Sequence, residues 1–504
     1  MIANAADEGA SATVTVFGGE AAPRSTTVDV PVNGRVRVRA RDVRPGEWAA
    51  ATVEVFGGRA TVERQVDGPD GFEASPCASA ASSTWYLPSG STLRGAVLQL
   101  FLFNPFPDPT SVDVEFATDE GPIAPQALTG LAIPARSLRV VTVENPSRRA
   151  EVAATITTRP GRIVVDRLQT FDGSGDPVTG EGPDAIETEA PRGIVSSPGL
   201  ATAAPAWFFP DVRIVQGGRT QLALLNPSTE RAELEVTAGF DDPARYTPLA
   251  PIEVTVGAGE QTVLDLTDRL EFTPGMELTL RVRSVDDVDV VAELVWFTGE
   301  RDTQPEPSEG DPDAVGETDP DAEADPDATT TTTAPATTAT TEATATTGTT
   351  EAAADDRVPE ADPDEEDPDQ DQEEELSFTV YAPGFAVTAG APVAARSWFV
   401  AGRGANDAVT AQVVVANPSG SPVRVTVDEL VGGSRKPLAG ATVAVPAGGR
   451  ATLHLDEAEP GSALVVDADG PIVVGRTQWA TTGRGISTDL ASPFPDQVVP
   501  LPAG

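Results

Sequence analysis

The sequence predicts an all-β chain: tandem immunoglobulin-like antiparallel β-sandwiches interrupted by a long disordered acidic and Thr-rich linker. Three observations predict it. Apolar and polar residues alternate in short runs separated by Gly, Asn and Pro, the period of half-buried strands rather than of helices. An apolar run ending in Asn-Pro recurs at Asn104-Pro105, Asn226-Pro227 and Asn417-Pro418, and each Asn lies 19 residues after a Trp, at Trp85, Trp207 and Trp398. Residues 302–375 abandon this pattern and carry 26 Asp and Glu against one Arg.

The 504 residues are enough for several domains of ordinary size. The net charge of −44 is concentrated in that one stretch, so the remaining segments are only mildly acidic. Basic residues are nearly all Arg, with Lys436 the only Lys, as in a chain encoded by a GC-rich genome. Cys77 is the only cysteine and His454 the only histidine. An intrachain disulfide and a Cys/His zinc cluster are thereby excluded. No apolar run reaches the roughly 18 residues of a transmembrane helix. The first residues, Met1 to Gly9, lack the basic and apolar regions of a signal peptide.

Residues 1–67 read as a sandwich without its first strands: Ala12 to Phe17, Thr27 to Val32, Arg35 to Ala40, Ala50 to Phe56 and Ala60 to Val66. Gly18-Gly19, Asn33-Gly34 and Gly57-Gly58 supply the turns. Asn4 aligns with the Asn of the Asn-Pro element, which places the matching Trp before Met1 and predicts a segment internal to a longer product. The second module, 72–175, runs from Trp85-Tyr86-Leu87 to Arg162–Thr170 in seven strands. Its Asn-Pro stop has a mechanical reason, because Pro has no N–H for a ladder and confines the residue before it to extended conformations. The third module, 191–300, repeats the scheme from Trp207-Phe208-Phe209 to Phe297, and seven short strands per repeat point to a β-sandwich. Residues 302–375, with Asp-Pro repeats around a Thr/Ala tract, have too few apolar residues for a core and are expected to be a disordered spacer. The last module, 378–504, runs from Trp398-Phe399-Val400 to Trp479, and Gly485-Ile-Ser-Thr after it echoes Gly193-Ile-Val-Ser.

The chemistry-bearing residues are few. A Trp recurring in a sandwich is expected in the core. Neighbours on a strand face opposite sides, so Tyr86, Phe208 and Phe399 are expected to face outward and to contact either an adjoining module or a ligand. His454 lies on an alternating strand without a spaced Ser or Asp partner, and no carboxylate recurs in every copy, so no catalytic residue is assigned. Asp172-Gly-Ser-Gly-Asp176 lacks the spacing of a calcium loop, and no metal or cofactor is expected. Pro in the middle of Asn145-Pro-Ser147, Asn226-Pro-Ser228 and Asn417-Pro-Ser419 removes them as glycosylation sites. Arg64, Arg167, Glu293 and Arg476 are read as one position of the last strand, where an outward charge discourages strand addition. The acidic balance argues against nucleic acid as a partner.

The Trp-aromatic strand, the Asn-Pro-Ser strand end and the Pro-Ala-Gly hairpin in an Arg-rich, Lys-poor chain resemble a family of uncharacterised actinobacterial cell-envelope proteins known only as a domain of unknown function. The resemblance spans residues 1–300 and 378–504. It implies an exported protein near the cell wall, with membrane association through an N-terminal segment that this sequence does not contain, and it supplies no catalytic residues. The expectation is a non-enzymatic scaffold of the cell surface or envelope, its last module held at a distance by the acidic spacer. The alternative is a binding module for cell-wall polysaccharide or an envelope protein.

Overall fold

The computed structural model describes residues 1–18, 22–143, 148–176, 190–215, 217–241, 249–269, 271–299, 383–402, 408–455, 458–459 and 462–501. The linker expected over 302–375 and Asn145 lie outside these residues. Among the described residues, apart from the one-turn helix Ala40–Val43 and two 3-10 turns, the regular structure is strand, paired antiparallel.

The second and third modules share one plan of two sheets. In the second, Thr84–Leu87 is the edge of a sheet with Val152–Thr158 and Thr110–Thr118, while the facing sheet runs Ser137–Thr142, Ala96–Asn104, Val164–Asp172, Arg192–Pro198. In the third, Ala206–Arg213 is the edge beside Glu277–Ser284, and the facing sheet runs Gln261–Asp265, Arg219–Leu225, Val291–Thr298, Gly384–Ala389. The fourth follows the same plan, but the 18-residue strand Ala463–Ala480 passes from one sheet to the other. Trp85, Trp207 and Trp398 fill the cores at 2%, 0% and 1% exposure.

The recurring Asn is a clamp. In every module its side-chain amide donates to the carbonyl four residues on (Glu8, Asp108, Glu230, Ser421) and to a carbonyl of the facing hairpin (Pro31, Pro134, Val256, Pro446). Its Oδ1 accepts from the backbone N–H two residues on, at 3.0 Å in all four cases. Asn4 makes the same bonds with Ala5 after it, so the clamp does not need the Pro. Each Asn is at most 1% exposed, which is why its polar atoms must be fully partnered.

The last strand of each facing sheet departs from the expected domain boundaries. Gly71–Pro76 pairs with Ala60–Gly68 of the first module, Arg192–Pro198 with the second, and Gly384–Ala389 with the third. The segments read as the start of one module thus complete the sheet before them. These three strands and Ile486–Leu490 meet as a hub: Gly71–Pro76 packs on Arg192–Pro198, that strand on Gly384–Ala389, that on Ile486–Leu490, and the last on Gly71–Pro76 again. The modules therefore close into a ring, fourth against first. Each hub segment opens on Gly-Phe or Gly-Ile: Gly71-Phe72, Gly193-Ile194, Gly384-Phe385 and Gly485-Ile486. A Cβ on Gly193 would sit 2.5 Å from the Phe385 backbone nitrogen, so close approach requires glycine there.

One expectation is corrected by this pairing. Thr298 is the register partner of Gly384, so the chain leaves the third module and returns to it on neighbouring strands. The fourth module is not held at a distance from the other three; it packs against the third and the first in the ring. Trp strands cover one sheet edge in modules two to four, whereas the equivalent edge of Ala50–Phe56 in the first carries no strand among the described residues.

Candidate functional site

Tyr86, Phe208 and Phe399 do turn away from the Trp cores, and the ring covers them. Phe208 is 4% exposed; its backbone exchanges hydrogen bonds with Ala391 at 2.9 and 2.8 Å, and its ring joins the fourth module's core. Phe399, 1% exposed, stacks on Phe494 with ring centroids 5.8 Å apart and shares a cluster with Ala3 of the first module. Tyr86 is half-buried against the third module's core, and burial, with Asp289 nearby, pushes its hydroxyl pKa up. They lie in module contacts, not on a free surface. His454 is exposed at a strand end.

The recurrent charges are the junctions themselves, not solvent-facing guards. Counting from the residue opposite each clamp Asn (Ala60, Ile163, Val290, Ile472), Arg64, Arg167 and Arg476 sit four residues on, and Glu63, Asp166 and Glu293 three. Glu293 therefore stands at the acid's place, one residue before the position of the arginines, and does not share their position. Each arginine meets the acid of the next module: Arg64 with Asp166 at 2.8 Å, Arg167 with Glu293 at 2.9 Å, and Arg476 with Glu63 at 2.9 Å. The Arg167 pair is bidentate, 1% exposed on both sides, and Ser89 Oγ donates to the same carboxylate at 2.7 Å. Such geometry fits planar guanidinium–carboxylate recognition.

Between the third and fourth modules the equivalent places are Leu294 and Gly475, and another cluster takes over. Asp211 faces Arg213 at 3.1 Å and Arg450 at 3.5 Å and accepts from Thr477 Oγ1 at 2.7 Å; Arg450 also meets Glu277 and Asp241, both at 3.0 Å. Burial pushes the Asp211 carboxyl up, but Arg213, Arg450 and Thr477 outweigh it and hold it below the ordinary range. Gly475 leaves room for Pro210, whose Cγ lies 3.0 Å from where a Cβ would stand.

At the fourth-to-first closure two more acids are buried. Burial pushes Glu73 up to about 8 although Ser487 Oγ donates to it at 2.8 Å, and burial with the nearby Glu73 charge raises Asp489 well above its usual value. One oxygen of each, Glu73 Oε2 and Asp489 Oδ2, has no hydrogen-bond partner among the described residues. Glu73 therefore holds its proton at neutral pH, and Asp489 is shifted in the same direction by burial.

A cleft of about 590 Å³ opens in the first module between Arg24–Val30 and the segment leading into Ala40–Val43. Arg24, Arg37 and Arg39 line it with Ser25 and Thr26, and Asp42 is its one acid. Val36 and Val38 pack against the module's core, and Val38 also lines the cleft beside Arg37 and Arg39. Three guanidiniums and two hydroxyls line it, and Arg37 Nη2 donates to Gln65 Oε1 at 2.8 Å. Among the described residues no group of three His, Cys, Asp or Glu is placed to hold a metal ion, and no helix is long and apolar enough to cross a membrane.

A family model described as "Family of unknown function (DUF5719)" matches residues 56–361, more than half of the chain. No curated protein matches. Among solved structures, the crystal structure of Thermotoga maritima 1070 is similar at 24% identity over 20% of this chain and 86% of that one, with a TM-score of 0.18. That likeness carries no argument.

Proposed function

We propose, for a chain that belongs to the DUF5719 family of unknown function, a role as a non-enzymatic structural scaffold of the cell surface or envelope, exported by an actinobacterium. One observation carries this reading: a ring of four modules sealed by buried ion pairs holds both ends of an acidic, Thr-rich insertion at register partners Thr298 and Gly384. The buried charges contribute to module contacts. The Arg-rich, Lys-poor composition and the Asn-Pro modules support the envelope assignment.

A second reading is favoured by the arginine cleft, whose donors suit an anionic envelope polysaccharide. Sedimentation with purified cell-wall sacculi separates the two. The full chain is compared with a chain whose residues 300–382 are replaced by a short Gly/Ser turn and with Arg37→Ala/Arg39→Ala. The scaffold reading expects association to follow the insertion and all three proteins to stay folded. Association that survives its removal and is lost with the arginines transfers the function to the cleft, and no association by any of them contradicts both readings.

A further inference from the structure

The junction between the fourth and first modules is held differently from the other three. The chain itself crosses from first to second module at 77–83, from second to third at 199–205 and from third to fourth at 390–392, whereas the fourth and first are not consecutive. Among the described residues no ladder joins them: Gly71–Pro76 is paired to Ala60–Gly68 and Ile486–Leu490 to Ala463–Ala480, each inside its own module. Side-chain contacts and single hydrogen bonds carry the closure. Thr61 bonds Ser492, Arg59 meets Asp496 on the surface, and Phe399 and Phe494 share a cluster with Ala3. The two modules can part here without breaking a strand pair.

Its buried charges do not balance. Glu63 is matched, because Arg476 Nη1 donates to its two oxygens at 3.2 and 2.9 Å and the Ala401 N–H to Oε1 at 3.1 Å. The same guanidinium also donates to the carbonyls of Gly402 at 2.9 Å and Ala74 at 3.1 Å. Arg64, the other guanidinium facing Glu73, is paired with Asp166 of the second module at 2.8 Å. Glu63, Glu73, Asp166 and Asp489 therefore share two guanidiniums. The other elements packed here add no free cation: Gly384–Ala389 is uncharged, Arg192 is exposed and faces Asp70 at 3.7 Å, and Asp67 is exposed and accepts from Gln65. Glu73 is 2% exposed and accepts from Ser487 Oγ, which belongs to the fourth module. Among the described residues the buried carboxyl oxygens without a hydrogen-bond partner are Glu73 Oε2 and Asp489 Oδ2, one on each side of this junction.

We infer that the fourth-to-first closure is a proton-controlled latch: with Glu73 and Asp489 protonated the ring is shut, and their ionisation parts the first module from the fourth while every module stays folded. A carboxylic acid sits dry against Ser487 at little cost, a carboxylate without a counter-ion does not, and separating Gly71–Pro76 from Ile486–Leu490 returns it to water. Burial holds both carboxyls above their ordinary range, Glu73 at about 8, and the Glu73 charge adds to the shift of Asp489. The closed ring thus keeps a proton on Glu73 that the open ring releases above the ordinary 4.5, so closure is strongest below 4.5 and is lost as pH rises through 8. A scaffold built this way has a closed and an open form.

The test labels the two sides of the exposed Arg59–Asp496 pair, whose loss costs little. The full chain carrying Arg59→Cys and Asp496→Cys, with Cys77→Ser, is modified with nitroxides, and the distance between them is read by EPR from about pH 5.5 to about pH 9. A short distance is expected at the acid end. As pH rises a long-distance population should appear, its ratio to the short one growing at least about 10-fold per pH unit up to 8, with the near-UV circular dichroism of the buried Trp side chains unchanged. Return to the acid end should restore the short distance. Glu73→Gln/Asp489→Asn keeps the shape of both side chains and should hold the ratio constant within about 2-fold. If that variant does not fold, Glu73→Gln alone takes its place and should lower the rise per pH unit. A short distance in the parent across the whole range, a rise as steep in the variant as in the parent, or a long distance that comes only with loss of the Trp signal overturns the inference.

Discussion

Removing one partner of the Arg167–Glu293 pair should weaken the ring far more than its loss from the chain's surface charge suggests. Both residues are 1% exposed, two bonds of 2.9 Å join them, and Ser89 adds a third at 2.7 Å. Glu293→Ala leaves a guanidinium buried without its counter-ion, at a cost of about 3–5 kcal/mol, and Arg167→Ala leaves the carboxylate in the same position. The double variant Arg167→Met/Glu293→Leu removes both charges and keeps volume, so it should recover most of that loss, to within about 2 kcal/mol of the parent. The assay is a double-mutant cycle in guanidinium chloride at neutral pH. The exposed pair Arg231–Glu233, at 2.6 Å but 69% and 41% exposed, is the control and should couple by under about 1 kcal/mol. Single variants at 167 and 293 that cost no more than the control would refute the reasoning that this junction is a dry ion-pair seal.

The clamp and the closure give two further expectations. Asn226→Ala removes bonds of 2.7, 3.1 and 3.0 Å at a residue 0% exposed, and thermal or chemical denaturation should record a loss of about 2–4 kcal/mol, with Asn417→Ala similar. Glu73 keeps its proton up to about pH 8 in the folded chain against an ordinary 4.5, so the folded state binds the extra proton in between. Its contribution is complete below pH 4.5 and is lost as pH rises through 8, a decline of about 1.4 kcal/mol per pH unit in that window, which Glu73→Gln should flatten. A pH series of denaturation midpoints for the two proteins measures it.

Strand type and module repeat were legible because they are written locally. Alternation and turn residues gave the strands, the 19-residue spacing gave the copies, and the clamp bonds of Asn4 match those of its three counterparts. Pairing across long separations was not written that way. Gly384–Ala389 follows the insertion in sequence, yet its ladder partner is Val291–Thr298 before it, and order along the chain invites the opposite assignment. The burial of Arg167 and Glu293 was hidden for the same reason: an isolated charge on a strand looks solvent-facing unless the module that covers it is known. Two signals in the sequence pointed there, the four Gly-Phe and Gly-Ile pairs of the hub and the adjacent acid–Arg pairs Glu63-Arg64 and Asp166-Arg167. Tyr86, Phe208 and Phe399 were found by alternation, which places them outside their own core but cannot say what lies beyond. The arginine cleft was visible only as the alternating run Arg35 to Arg39, since Arg24 joins it from another strand.

Closure of the ring, fourth module on first, is what the scaffold account rests on, and a single cross-link tests it. Thr61 Oγ1 donates to Ser492 Oγ at 2.9 Å, across 431 residues of sequence. The chain carrying Thr61→Cys and Ser492→Cys, with Cys77→Ser, should form an intramolecular disulfide nearly to completion under mild oxidation, as a monomer on a non-reducing gel. Free thiols, or disulfides formed only between molecules, from a folded protein would mean that the modules do not close and would contradict the account.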